Sequence, residues 1–327
     1  MNIDPRRVLA SPGIKSGLRS WILPLVISIV LIFIGDRVNH GFGSLQNIGN
    51  LLALASILTI AAAGQTIVII SGDYGIDLTM GALMSMGAVI GSGILQGNNV
   101  NMIPTLVIVI ALGGFFGLIN GLAIWTLRIP ALVMTLAMGS VVNGFSLAIS
   151  RGRPFGSASS FLLAIGGMRF LGWLRLIFLV TLVFVVIMEI VLRYTPSGKM
   201  LYITGNNRTA ASITGIKTGR VVVMSFLISG MLGALAGLFL FSAVGTAQLQ
   251  MAETFTLLSV AAVVLGGTQL SGGKGSYVGT AFGAIVIVCL TNVLITIGMP
   301  EGMRLVITGV VLVAILGAYS RQAKFRQ

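Results

Sequence analysis

Charge is scarce in this chain. Only 8% of its 327 residues are Asp, Glu, Lys or Arg, against about 25% in an average globular protein. A water-soluble fold of this length needs far more polar surface, so a soluble domain is excluded. Acidic residues are the scarcest, 7 against 20 basic ones, which leaves a formal charge of +13. The one cysteine, Cys289, sits between Val288 and Leu290. It can form no internal disulfide and implies no metal site. The one histidine, His40, rules out a His-Glu-x-x-His zinc motif. No nucleophile–base arrangement is visible, so the chain offers no enzyme chemistry. The alternating ten-residue segments of a membrane β-barrel are also missing.

What the chain does have is apolar length. Hydrophobic residues make up 56% of it, in long runs such as 51–70, 102–127, 176–192, 221–244 and 277–297. A helix needs roughly 20 apolar residues to cross the hydrocarbon core. These runs therefore predict an all-α, polytopic membrane protein. Ten transmembrane helices fit, over 20–36, 48–71, 77–96, 102–125, 131–150, 172–194, 219–245, 253–268, 276–297 and 302–320. The 44 glycines suit a bundle in which helices approach closely.

Lys and Arg accumulate on cytoplasmic loops. Placing both termini in the cytoplasm puts 14 of the 20 basic residues inside and 6 outside. The basic balance is thus a feature of topology, and nucleic acid is not an expected partner. The reading divides the chain into a cytoplasmic tail at 1–19, a transmembrane domain at 20–320 and a tail at 321–327. The basic start (Arg6, Arg7, Lys15, Arg19) and the run from Trp21 imitate a signal peptide. No small-residue cleavage site follows, so an uncleaved first span is expected. Residues 151–171 become the main external loop.

Polar groups inside this apolar frame are the candidates for chemistry. Asp73 and Asp77 interrupt the hydrophobic pattern in Ser71-Gly-Asp-Tyr-Gly-Ile-Asp-Leu-Thr-Met-Gly81. A charge in the bilayer costs about 3 kcal/mol on insertion scales, so it faces a cavity, a partner or water. Asp77 either caps a helix beginning near Leu78 or lines a pathway. Gln65, Asn120, Asn143, Gln248 and Asn292 either bridge helices or line an aqueous route for an uncharged polar solute. Glu189 lies in the sixth span. Thr268-Gln-Leu-Ser-Gly-Gly-Lys-Gly275 imitates a phosphate loop. It lacks the opening Gly and the Ser or Thr after the Lys, so no nucleotide site is expected in this chain.

The longest polar stretch is 195–220. It carries Lys199, Arg208, Lys217 and Arg220 and no acidic residue. Asn206 or Asn207 can cap a short helix from Arg208 to Thr214, and Gly215 can end it. A short helix under the membrane is a compact docking knob.

At these residues the chain resembles the permeases of ribose-type ABC sugar importers. The resemblance covers about 45–320. It rests on Gly75-Ile-Asp-Leu-Thr-Met-Gly81, on Asn120-Gly121 leading to Ile129-Pro-Ala-Leu-Val-Met-Thr-Leu136, and on Thr195-Pro-Ser-Gly198. It extends to Gly205-x-Asn207-x-x-Ala210-Ala211-x-x-x-Gly215-Ile216 and to Gly266-Gly267 followed by Gly272-Gly273-x-Gly275. The family usually has Ser and Val where Thr79 and Met80 stand.

The resemblance implies a multi-pass subunit of a bacterial cytoplasmic membrane, importing a monosaccharide or related solute. It would pair with a second copy or a paralogue, sit on separate ABC ATPase subunits that bind ATP, and take solute from a periplasmic binding protein. It also implies that Gly205, Asn207, Arg208, Ala210, Ala211, Gly215 and Ile216 form the ATPase-coupling segment. The rival reading is a secondary transporter of a small polar solute driven by an ion gradient.

Overall fold

The computed structural model describes residues 21–73, 75–153 and 156–323. Among them are thirteen α-helices. They are α1 (Ile22–Val38), α2 (Leu45–Ile70), α3 (Met80–Leu95), α4 (Met102–Thr126), α5 (Ala131–Ser150), α6 (Ser160–Gly167) and α7 (Leu176–Tyr194), followed by α8 (Pro196–Asn206), α9 (Arg208–Ile213), α10 (Thr218–Val244), α11 (Phe255–Leu265), α12 (Tyr277–Thr296) and α13 (Glu301–Ala323). A two-residue antiparallel hairpin, β1 (Arg169–Phe170) with β2 (Leu174–Arg175), precedes α7. The tail expected at 1–19, with its four basic residues, lies outside the described residues. So do 324–327 of the C-terminal tail, whereas 321–323 continue α13.

Each of the ten expected spans coincides with a helix, but the helices are unequal. Six are long and apolar enough to cross a membrane: Leu45–Ile70, Asn99–Thr126 (α4 with its leading 3₁₀ turn), Ala131–Ser150, Leu176–Tyr194, Thr218–Val244 and Tyr277–Thr296. The span expected at 253–268 shrinks to the 11 residues of α11. At 1.5 Å per residue that is about 16 Å, roughly half the hydrocarbon thickness. The span expected to open at residue 77 opens at Met80 instead.

Burial sorts the helices into layers. Both α2 and α3 are enclosed almost from end to end. The flanking α4, α5 and α7 expose large apolar side chains such as Val107, Phe115, Leu136, Val141, Val183 and Ile187. Water would penalise such faces, and hydrocarbon accepts them. Within the external loop expected at 151–171, residues 160–167 form α6. Ser159 caps α6 by accepting from Leu162 N at 3.4 Å, and Gly166 of α6 packs against the Ser242 carbonyl.

Helix α10 is the spine, packed against α4, α3 and α2. Its sequence explains why: Ser229, Gly230, Gly233, Ala234 and Gly237 place small residues along its buried faces. A Cβ on Gly230 would lie 2.1 Å from the Gly113 carbonyl oxygen of α4, and one on Gly237 would lie 1.9 Å from that of Met84 in α3. Backbone meets backbone here, so the helices gain dispersion contact that bulkier residues would prevent. Gly230→Val or Gly237→Val should therefore destabilise the fold by about 1–3 kcal/mol or more. Gly144→Ala, whose added Cβ meets nothing within 4 Å, should be neutral. Thermal unfolding in detergent checks this, and equal melting points for all variants would contradict the backbone-contact reading.

Candidate functional site

Two constellations emerge, one inside the bundle and one at the end that carries residues 195–220.

The inner one surrounds Asp77. Its side chain is fully buried. Oδ1 accepts from the Thr79 backbone N–H at 3.0 Å and from the Thr79 hydroxyl. Oδ2 accepts from the Ser229 hydroxyl of α10 at 2.7 Å. Gln65 of α2, with its amide oriented to satisfy both groups, donates to Asp77 O at 3.0 Å and accepts from Asp77 N at 3.2 Å. Asn120 of α4 donates to the Thr79 hydroxyl at 3.3 Å. Asp77 does not cap α3, whose N-cap is Thr79 without a side-chain cap bond; its carboxyl instead closes the turn before the helix and ties α10 to that turn. Residues 75–79 are outside the helix, with Gly75, Asp77 and Thr79 buried and Ile76 and Leu78 half-buried, so their polar groups need such partners.

Of the polar residues expected along a path, Gln65, Asp77 and Asn120 converge here. The others do not. Asn143 is half-buried on α5, and its Oδ1 has no partner among the described residues. Asn292 donates at 2.9 Å to Val288 O of its own helix. Gln248 is exposed in the loop after α10. Asp73 belongs to the second constellation.

That second constellation holds the segment 195–220. Thr195 caps α8 by accepting from Gly198 N at 3.2 Å. Asn207, rather than Asn206, caps α9 by accepting from Ala210 N at 2.9 Å. The end of α9 is a Schellman closure: Ile216 N donates to Ala211 O at 3.2 Å and Gly215 N to Ser212 O at 3.0 Å. Gly215 has the positive φ, +85°, that this closure requires. The short helix thus forms as its sequence dictates, one residue shorter than expected.

Its root is a junction of four glycines. A Cβ on Gly205 would stand 1.8 Å from Ile70 O, at the end of α2, and 2.6 Å from Gly273 N. One on Gly272 would stand 2.3 Å from the Cα of Gly72. Gly273 N donates to Ile70 O at 3.0 Å. Tyr202 of α8 adds a bond to Gly275 O at 2.9 Å. Burial raises the Tyr202 phenol, and the Glu189 carboxylate adds to this while Arg193 opposes it, so Tyr202 remains a neutral donor. Glu189 itself accepts from Tyr277 N at 2.8 Å and Val278 N at 3.1 Å, and pairs with Arg193. Its carboxylate caps α12 and complements that helix's dipole.

Arg208 pairs with Asp73, which sits at φ +54° after Gly72. Burial pulls the Arg208 guanidinium below its usual range, and Asp73 pulls the other way. Asp73 is 65% exposed, so solvent screens the pair to about 1 kcal/mol at most. The glycine contacts, not this pair, locate the segment. Both residues line a cavity of about 690 Å³ with Trp125 and Arg128.

Within the expected coupling set, Gly205 and Ala211 are buried and Ile216 is half-buried. The outward surface of α9 is Thr209, Ala210, Ser212 and Ile213, and Ile213 is 81% exposed. Sequence reasoning passed over Ile213. Its signal was present as the one large apolar residue between Arg208 and Thr214.

The profile of the family described as branched-chain amino acid transport system / permease component matches residues 47–316, and the chain belongs to that family. The ribose import permease protein of Bacillus subtilis (strain 168) is 34% identical over 302 residues, covering 92% of this chain and 93% of that protein. The ribose import permease protein of Escherichia coli (strain K12) is 30% identical over 301 residues, covering 90% and 92%. An autoinducer 2 import system permease of Photorhabdus laumondii is 28% identical over 300 residues, covering 90% and 87%. Within the family, the chain is a ribose-type ABC permease. It matches no solved structure.

The Asp77 cluster predicts coupling between Asp77 and Ser229. Ser229→Ala should destabilise the wild-type background more than the Asp77→Asn background, with an interaction energy of about 0.5–3 kcal/mol. Strict additivity in unfolding measurements would show that the two side chains act independently.

Proposed function

We propose that this chain is the transmembrane permease subunit of an ATP-driven importer for a monosaccharide or related polar solute. In this reading ten helices span a bacterial cytoplasmic membrane with both termini inside. Two copies, or this chain and a paralogue, enclose the route. A periplasmic solute-binding protein delivers the solute, and separate ABC ATPase subunits bind ATP.

The observation that carries the reading is the mechanical attachment of α9. The helix projects an exposed Ile213 while its root is locked to α2 through Gly205 and Ile70 and to the α11–α12 connection through Gly273 and Tyr202. A push on the knob is thereby delivered to two helices of the bundle. Apolar anchors seated in a pocket carry most of the binding energy at protein interfaces, and Ile213 is the anchor this knob offers.

A proton relay through the membrane uses carboxylates or histidines that are free to exchange protons. Glu189 is occupied in capping α12, which weakens the rival reading of an ion-driven transporter.

Ile213→Asp should abolish co-purification with a co-expressed ABC ATPase of the same transport system and stop uptake, while the permease remains monodisperse. Uptake by the wild-type chain should depend on that ATPase and withstand a protonophore. Undiminished ATPase binding by the Asp variant would remove α9 as the docking element. Collapse of uptake on adding protonophore alone would favour the ion-gradient mechanism.

A further inference from the structure

A second cavity, of about 680 Å³, opens between α7, α8 and the start of α10, and its lining is sorted by polarity. Two helical stripes face it. On α10, Arg220, Met224 and Ile228 follow one another at four-residue spacing, so one face runs from a cation to apolar side chains. On α7, Met188, Val191 and Leu192 form the opposite wall. Val191 continues a stripe with Val183 and Ile187, all three exposed on the outer face of α7. The groove therefore runs into the surface that hydrocarbon covers.

Lys217 joins Arg220 at its mouth, and no Asp or Glu lines it. Among the described residues neither cation's side chain has an ion-pair partner. The nearby carboxylates are committed elsewhere, Glu189 to Arg193 and Asp73 to Arg208.

We infer that this groove binds an anionic phospholipid, with one acyl chain between α7 and α10 and the phosphate between Lys217 and Arg220. Charge complementarity selects the occupant. Basic pockets between transmembrane helices at the membrane boundary bind anionic headgroups, and the apolar walls require a tail. A soluble anion lacks that tail. A second copy of this chain would bring its own positive rim against this one. Thr214, Gly215 and Ile216 at the end of the knob line the same groove, so bound lipid would brace the coupling segment from the membrane side.

Native mass spectrometry of the purified full-length chain, titrated with phosphatidylglycerol, phosphatidylcholine or inorganic phosphate, tests this. The wild type should retain one phosphatidylglycerol in preference to phosphatidylcholine, and inorganic phosphate should not displace it. Lys217→Gln with Arg220→Gln should weaken phosphatidylglycerol retention on the order of ten-fold or more without changing the lipid-free melting point. Met224→Trp, which fills the groove and keeps both cations, should lower retention as well. Equal retention of the two lipids, displacement by inorganic phosphate, or indifference to Met224→Trp would overturn the assignment. Loss of ATPase co-purification in lipid-free detergent on neutralising the two cations would overturn it too, by giving them to protein docking.

Discussion

Gly72, Gly205, Gly272 and Gly273 meet where α2, α8 and the α11–α12 connection converge, and the backbones are too close for a single Cβ to enter. Everything at this end of the molecule follows from that proximity. Helix α8 can reach the carbonyl of Ile70 only because residue 205 has no side chain. Gly273 can donate to that same carbonyl only because Gly72 and Gly272 let the loop close in. Close packing of this kind transmits displacement rather than absorbing it, since interiors are dense and poorly compressible. The polar segment 195–220 is thereby made continuous with the membrane-embedded helices.

The same logic operates deeper in the bundle. Residues 75–79 have left helical geometry within a buried environment, which exposes peptide groups that no water can satisfy. Gln65 answers the backbone of Asp77, and the Asp77 carboxyl answers Thr79 and Ser229. The cluster thus makes a broken backbone tolerable and joins α2, α4 and α10 to the start of α3. A route for solute need not pass through it. Its side chains are turned onto one another and onto the backbone, apart from the buried Asn120 Oδ1, which has no partner among the described residues.

Much of this was legible in the sequence, and the failures have identifiable causes. The helical membrane class followed from apolar run length and the shortage of charge. The α9 knob followed from local capping chemistry, with Asn207 before it and Gly215 after it. The helix expected to begin near Leu78 begins at Met80, and the Asp77 carboxyl bonds Thr79 and, 152 residues away, Ser229, a contact that no local pattern reveals. For the same reason Glu189 read as an isolated polar residue in a span, although it caps α12 from another helix. Spacing set Gln65, Asp77 and Asn120 no closer to one another than to Asn143, Gln248 or Asn292. Only tertiary packing brings the first three together. The coupling set mixed residues that hold the knob in place, Gly205 of α8 and Ala211 of α9, with those that face outward, because composition shows neither the contacts of α8 nor the two sides of a six-residue helix.

The energetic contrast within the knob explains how it could serve as a lever. Its Arg208–Asp73 pair is solvent-screened and worth about 1 kcal/mol at most, so a docking partner that offered Arg208 another carboxylate could replace it at little cost. Its root is of a different order. Sliding Gly205 past Ile70 would force backbone atoms together or break their contact altogether, and interdigitated packing of that kind changes in discrete steps rather than smoothly. Both the screened pair and the glycine contacts lie at the base of α9, beside Gly72, and the opposite end carries the exposed Ile213. In the proposed importer, a displacement of this base would enter the bundle at the end of α2 and at the connection into α12, the two elements it touches.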